Sequence, residues 1–350
     1  MRPVLWIKGK FIVVFLIFCF LISCSGSIRQ QINASPVIQL KHWGDNWRQR
    51  QWIERLQPAP RELLQYVLLQ NKLDGFAEVP QTVEPSPEIA AVLQEIKSSL
   101  SPALNKLLDE RLIGIFCLTD LGSSGFAEEI IDRQSGKAYA VIVLDQDVLL
   151  SRKANDWATW KENSIFQAQK KSGYHLQMVI EAPQKNTVQN AVRYLLLHEL
   201  GHVLGAVSNV HPSWTPSDRP LSVNYPFVRL SWKLDDEEKP ISLFDDKFHE
   251  RKKIQFYAFA KAQLTNDQMP DTYRQLQQLT NFVSMQAATS LWEDFAESFA
   301  TYVHIVTDKR PWQVRIDDEQ GSTFVYPSCW QDNRCKTKKE FLEKWYDKPL

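Results

Sequence analysis

Two histidines four residues apart, with a glutamate beside the first, stand inside an apolar run: His198-Glu199-Leu200-Gly201-His202. Upstream of them Ala191, Val192, Tyr194, Leu195, Leu196 and Leu197 predict a buried helix. Thr187 is a good N-cap for it, the helix is expected to run through Val203, and Gly205 fits the C-terminal cap. Two imidazoles and a carboxylate in such a helix need partners, because unpaired polar groups are costly in a core. Residues i and i+4 share a helix face one turn apart, so both rings can reach one metal ion. The pattern is H-E-x-x-H, and the fold around it has to bring up further ligands.

A second constellation answers that need. Trp292-Glu293-Asp294-Phe295-Ala296-Glu297-Ser298-Phe299-Ala300 places Glu293 and Glu297 on one helix face, one turn apart. One can ligate a metal while the other supports a ligating histidine from outside. Zn²⁺ prefers tetrahedral nitrogen and oxygen ligands, and its catalytic sites use three protein ligands plus water.

The two motifs together resemble the gluzincins, zinc peptidases whose third ligand is a glutamate on a later helix. The Glu-Asp-Phe-Ala-Glu-Ser-Phe-Ala run is similar to the third-ligand helix of zinc-binding metallopeptidases of bacteria and, more distantly, of lethal-factor-type toxin peptidases. The resemblance covers mainly residues 187–205 and 288–306. It implies one Zn²⁺ per chain, held by His198, His202 and Glu293, with Glu297 as the supporting acid. It also implies hydrolysis of peptide bonds, with the zinc-bound water as nucleophile and Glu199 as its general base. Two departures stand out. Ninety residues separate His202 from Glu293, long for a gluzincin, so an insertion is expected around residues 206–250. Gly205 also fits the metzincin pattern H-E-x-x-H-x-x-G-x-x-H, but position 208 is serine and His211 comes three residues late. Asp294 and His211 remain alternatives for the third ligand.

The rest of the chain reads as α+β, a zincin-like arrangement with a small mixed sheet, an active-site helix and a mainly helical C-terminal half. Helices are expected at residues 60–71 and 87–110, with a Pro-rich linker at 80–87. Strands are expected at 112–118, 138–144 and 175–180, with turn-rich stretches at 122–125 and 132–136. The strand at 138–144 reads equally as an inner strand or as the sheet edge that receives substrate in zincins. Residues 211–246 look irregular, and helices follow at 247–264, 271–282, 288–306 and 337–345, the last with Thr337 and Glu340 as a capping box. Tyr257 and Tyr273 read as core or surface residues on the helices between the motifs, and His304 as a packing residue.

The N-terminus has the pattern of an export signal. Arg2, Lys8 and Lys10 precede an apolar stretch at 11–22, too short for a comfortable membrane span. Leu21-Ile22-Ser23-Cys24 resembles the lipobox of bacterial lipoproteins. That resemblance implies a signal peptide at 1–23, lipid on Cys24, a polar tether over 24–40 and a catalytic domain over 41–350. It implies a protein of the bacterial envelope, anchored to a membrane through lipid. Ser25 follows the cysteine, which favours the outer membrane in a Gram-negative cell. Removing Arg2, Lys8 and Lys10 leaves 38 basic against 41 acidic residues, with no basic stripe, so a nucleic-acid partner is not expected. The expected partner is a peptide or protein substrate. In an exported chain Cys329 and Cys335 are candidates for a disulfide, and Cys117 for a buried apolar residue. The alternative function is a non-catalytic zinc-binding envelope lipoprotein. Retention of Glu199 argues against it, since a structural site needs ligands and no base. Metabolic labelling with a fatty-acid analogue should mark the wild type and not Cys24→Ser; equal labelling of both would refute the lipobox reading.

Overall fold

The computed structural model describes residues 28–167, 173–214 and 221–349. The expected signal peptide, Cys24 and the first residues of the expected tether lie outside them. The central sheet has five strands: Leu56–Pro58 (β1), Gln81–Thr82 (β2), Leu112–Thr119 (β3), Gly125–Ile131 (β4) and Ala138–Asp145 (β5). Their order is β1-β3-β5-β4, and β2 also pairs with β3. β1, β3 and β5 run parallel, while β2 and β4 are antiparallel to their partners. Ile115, Cys117, Ile142 and Leu144 turn to one core; Phe116, Leu118, Val141 and Val143 turn to another. Both faces are covered, which is why β3 and β5 read as unbroken apolar runs.

Helix Arg61–Asp74 (α1) covers the second face together with an N-terminal segment that contributes Ile32, Val37 and Trp47. From Ile32 onward the expected tether is therefore packed, with Val37 fully buried. The first face carries Pro87–Ser99 (α2) and Pro102–Arg111 (α3). One helix was expected over 87–110. The chain breaks because Leu100 and Ser101 are extended ahead of Pro102, as residues before proline prefer, and Ser101 Oγ caps the new helix by accepting from Leu104 N–H at 3.3 Å. Two helices follow that periodicity did not reveal, Gln146–Leu150 (α4) and Ala154–Asn163 (α5).

Val188–Val207 (α6) carries the first motif and packs on β4, β5, α2 and α5. Thr187 caps it, accepting from Asn190 N–H at 3.3 Å. Gly205 lies within the helix rather than at its cap, which is Ser208. A Cβ on Gly205 would strike the ring of His211 and stand 2.7 Å from Phe295 Cδ1, so close packing explains this glycine.

After α6 the chain forms a small antiparallel hairpin within the expected insertion, Trp232–Leu234 with Pro240–Ser242. The helix expected over 247–264 is absent. Two short 3₁₀ turns, His249–Lys253 and Phe259–Lys261, flank a bent segment, with positive φ at Tyr257 inside it and at Phe259 where the second turn begins. Met269–Leu279 (α7) and Leu291–Thr301 (α8) follow, and α8 continues into a π-helical turn at Tyr302–Thr307. A three-stranded sheet joins Tyr174–Val179 to Gln313–Asp318 and Thr323–Pro327. Cys329 and Cys335 are disulfide-bonded just before the last helix, Lys336–Asp347 (α9). Cys335 itself occupies the N-cap of α9, without a side-chain cap, so the expected Thr337–Glu340 box is not used. The architecture is α+β. Among the described residues no helix is long and apolar enough to cross a membrane.

The contact that sets up the site is the approach of α6 to α8. A Cβ on Gly201 would stand 2.8 Å from both the Cα and the carbonyl oxygen of Ala296, so only glycine lets the two backbones come this close. Gly201→Ala should cost about 1–3 kcal/mol of stability, as overpacking of a tight core does. A urea midpoint equal to the wild type's would show that the helices can yield.

Candidate metal centre

Helices α6 and α8 cross so that three potential ligands converge. His198 and His202 stand one turn apart on α6, with their Nε2 atoms 3.1 Å from each other. Glu293 enters from the first turn of α8, held by Ser290, whose Oγ accepts from Glu293 N–H at 3.2 Å. Glu293 Oε2 lies 3.4 Å from His198 Nε2, and Oε1 lies 3.3 Å from His202 Nε2. One ligand atom from each of the three residues falls within 4.8 Å of the others, a set that could hold a metal ion. Gln286 braces the carboxylate, its Nε2 donating to Glu293 Oε2 at 2.8 Å.

The alternatives for the third ligand point elsewhere. Asp294 is fully buried on another face of α8, where it pairs with Lys338 of α9 and accepts from Trp232 Nε1 at 3.1 Å. His211 folds back over Gly205, with Nδ1 3.0 Å from the carbonyl of Pro212, and burial lowers its pKa to about 4. His304 is buried against the carbonyl of Ile180 at 2.7 Å, away from the ligand set.

Behind His198 stands Glu297, one turn after Glu293. Its Oε1 is 2.8 Å from His198 Nδ1, an ion-pair contact in which neither atom makes a hydrogen bond, and its Oε2 accepts from Ser284 Oγ at 2.6 Å. A carboxylate at Nδ1 leaves Nε2 as the ring atom turned to the shared point. Burial opposes the charged form of His198, but the carboxylates of Glu293 and Glu297 outweigh it and raise the pKa to about 10. Burial likewise works against ionised Glu293, yet the two imidazoles hold it well below the usual carboxylate range. The geometry thus favours positive charge between the rings and the carboxylate.

Glu199 shares the helix with both histidines and lines the cleft beside them. Its Oε2 is buried without a hydrogen-bond partner among the described residues. Desolvation raises its pKa, and His198 and His202 partly offset that rise. The cleft has a volume of about 530 Å³. Its walls include Phe126 and Ala127 of β4, Trp214, Phe256, Tyr257 and Trp292. The edge beside the cleft is therefore β4; β5 lies inside the sheet, between β3 and β4.

The sequence expectations do not include Lys161, Gln286, Ser284 or Phe126, and they place Tyr257 on a helix as a core or surface residue. Tyr257 instead lies on the bent segment, lines the cleft, and is 3.2 Å through its hydroxyl from Ser124 Oγ. A signal for Lys161 was available. Ala154, Trp157, Ala158 and Lys161 recur at helical spacing, so a lysine sits on an otherwise apolar stripe.

No protein-family model matches this chain, and no curated protein or solved structure does. Metal content after dialysis separates the acids. Glu293→Ala and His202→Ala should each lose most of the bound ion. Asp294→Leu combined with Lys338→Met should keep it, because an apolar pair can replace a buried ion pair without loss of fold. Retention by Glu293→Ala would assign the wrong acid.

Proposed function

We propose that this chain is a zinc-dependent peptidase with a zincin-like fold of the gluzincin kind, lipid-anchored at the cell envelope. The observation that carries this reading is Glu199. It is a buried carboxylate on the cleft wall between His198 and His202, and its Oε2 has no hydrogen-bond partner among the described residues. A purely structural metal site has no use for such a group, and an unpaired buried acid is costly to keep.

The donor set fits Zn²⁺. Two imidazole nitrogens and one carboxylate oxygen make three protein ligands, as catalytic zinc sites have, and the open cleft leaves the other side to solvent or substrate. When bound, Zn²⁺ supplies Lewis acidity that polarises a carbonyl and acidifies water near neutral pH. The chain's own residues do the rest. His198, His202 and Glu293 hold the ion, and Glu297 and Gln286 orient two of those ligands. Glu199 accepts a proton from water and delivers it to the departing amine nitrogen. Phe126, Trp214, Phe256 and Trp292 give the cleft apolar walls against which substrate side chains can pack.

The cleft also suits an extended main chain. Among the described residues β4 pairs only with β5, so the backbone groups of its outer edge face the cleft side at Gly125–Ala127. A peptide lying there would add a strand to the sheet.

Glu199→Gln keeps the shape and removes the base. The variant should hold its zinc while peptide turnover falls by about 10²- to 10⁴-fold. Wild-type zinc content with no hydrolysis in either protein, across a broad peptide library, would favour the non-catalytic lipoprotein instead. Equal turnover by the variant on an identified peptide would refute the mechanism.

A further inference from the structure

The search for groups that the reading above leaves unused ends at Lys161. It lies on α5, deep in the protein, with its side chain only 10% exposed. A lysine so placed gives up hydration and needs compensation. Among the described residues Glu297 is the carboxylate within salt-bridge reach, with Nζ 3.5 Å from Oε1. The rings of Trp157 and Phe256 flank the ammonium, with centroids 5.5 and 5.3 Å away. Lys161 borders the main cleft on one side and a small internal cavity with Glu162 and Tyr194 on the other.

Glu297 has two oxygens and three neighbours. Oε2 is taken by Ser284 Oγ at 2.6 Å, and Oε1 is shared between His198 Nδ1 at 2.8 Å and Lys161 Nζ at 3.5 Å. Neither Oε1 nor His198 Nδ1 makes a hydrogen bond, so the ion-pair contact alone is a weak orienter of the ring. An ammonium attracts the carboxylate from any line of approach and gives Oε1 a second fixed point. α5 packs directly on α6 and on the strand Tyr174–Val179, so that point is anchored in the scaffold.

We propose that Lys161 is a positioning residue of the metal centre. Given His198 as a metal ligand, as proposed above, Lys161 anchors the Glu297 carboxylate against His198 Nδ1 and so keeps Nε2 turned to the metal. The line of action runs from Lys161 to Glu297 to His198, and Lys161 stands outside the ligand set of His198, His202 and Glu293. Its effect on metal affinity is therefore felt through Glu297.

The test is a double-mutant cycle read on metal binding. Zn²⁺ dissociation constants from chelator competition, and Co²⁺ visible spectra, are measured for the wild type, Lys161→Met, Lys161→Arg, Glu297→Gln and the double variant Lys161→Met/Glu297→Gln. Lys161→Met should weaken Zn²⁺ binding by roughly 10- to 100-fold, the range for groups that orient a ligand, and should shift the Co²⁺ bands. Lys161→Arg should restore most of the affinity. The double variant should bind no more weakly than Glu297→Gln, because the two residues act in series. Thermal unfolding of the metal-free proteins is recorded alongside. If Lys161→Met fails to fold, Lys161→Gln against Lys161→Gln/Glu297→Gln carries the same comparison. A Lys161→Met protein that is less stable but binds Zn²⁺ and Co²⁺ as the wild type does would overturn the proposal, as would losses that multiply in the double variant. A wild type that binds neither ion would overturn the metal centre itself and the role of Lys161 with it.

Discussion

Everything at the centre depends on how closely α6 and α8 approach each other. The two helices touch where Gly201 faces the backbone of Ala296, and that contact lies between the histidines on one side and the glutamates on the other. Gly201 stands one residue before His202, and Ala296 one residue before Glu297. Any side chain at the crossing would push the ligand sets apart. Metal-ligand distances are short and tolerate little slack, so the missing Cβ has the same importance as the ligands. Gly205 extends the same face by one turn, where the ring of His211 and Phe295 fill the room it leaves. The first motif thus has two roles in one stretch of helix: its histidines offer ligand atoms that could hold a metal ion, and the glycines set the spacing.

Around that crossing the charges are arranged in pairs. Glu297 is balanced by Lys161 and Asp294 by Lys338, all deeply buried. Neither lysine belongs to the helix whose acid it meets, since one comes from α5 and the other from α9. Such pairs rarely add net stability over apolar packing, because desolvation consumes most of the attraction. They do restrict how the helices can be arranged, since any alternative packing would strand a charge. α8 is therefore held by charge on two sides, and Glu293 alone of its three acids is left to face the cleft.

Much of this was legible in the residues, and the gaps have physical causes. The strands β3 and β5 were readable because both their faces are buried and their runs are unbroken. β4 was not, because an edge strand carrying Glu128 and Glu129 after a turn-rich stretch lacks that signature. The convergence of His198, His202 and Glu293 was readable because each pair of residues sits on a helix, where spacing fixes direction. Lys161 and Gln286 escaped notice because they reach the centre from elements whose neighbours are set by tertiary packing. The expected helix over 247–264 failed for a similar reason. Its apolar residues are spent lining the cleft and the core from a bent segment, and positive φ at Tyr257 is incompatible with a continuous helix. Ser101-Pro102 was a visible breaker inside an apolar periodicity, and the periodicity was given too much weight.

The position of Lys338 imposes an order on assembly. Asp294 sits on the helix that presents Glu293, yet its counter-ion arrives with α9, more than forty residues later in synthesis. The disulfide between Cys329 and Cys335 lies immediately before that helix and fixes where it starts. A growing chain that has already made both ligand motifs still lacks the counter-ion of Asp294. α8 cannot settle at low cost until the last helix docks. The last helix to be synthesised thus supplies the charge that balances the helix presenting Glu293.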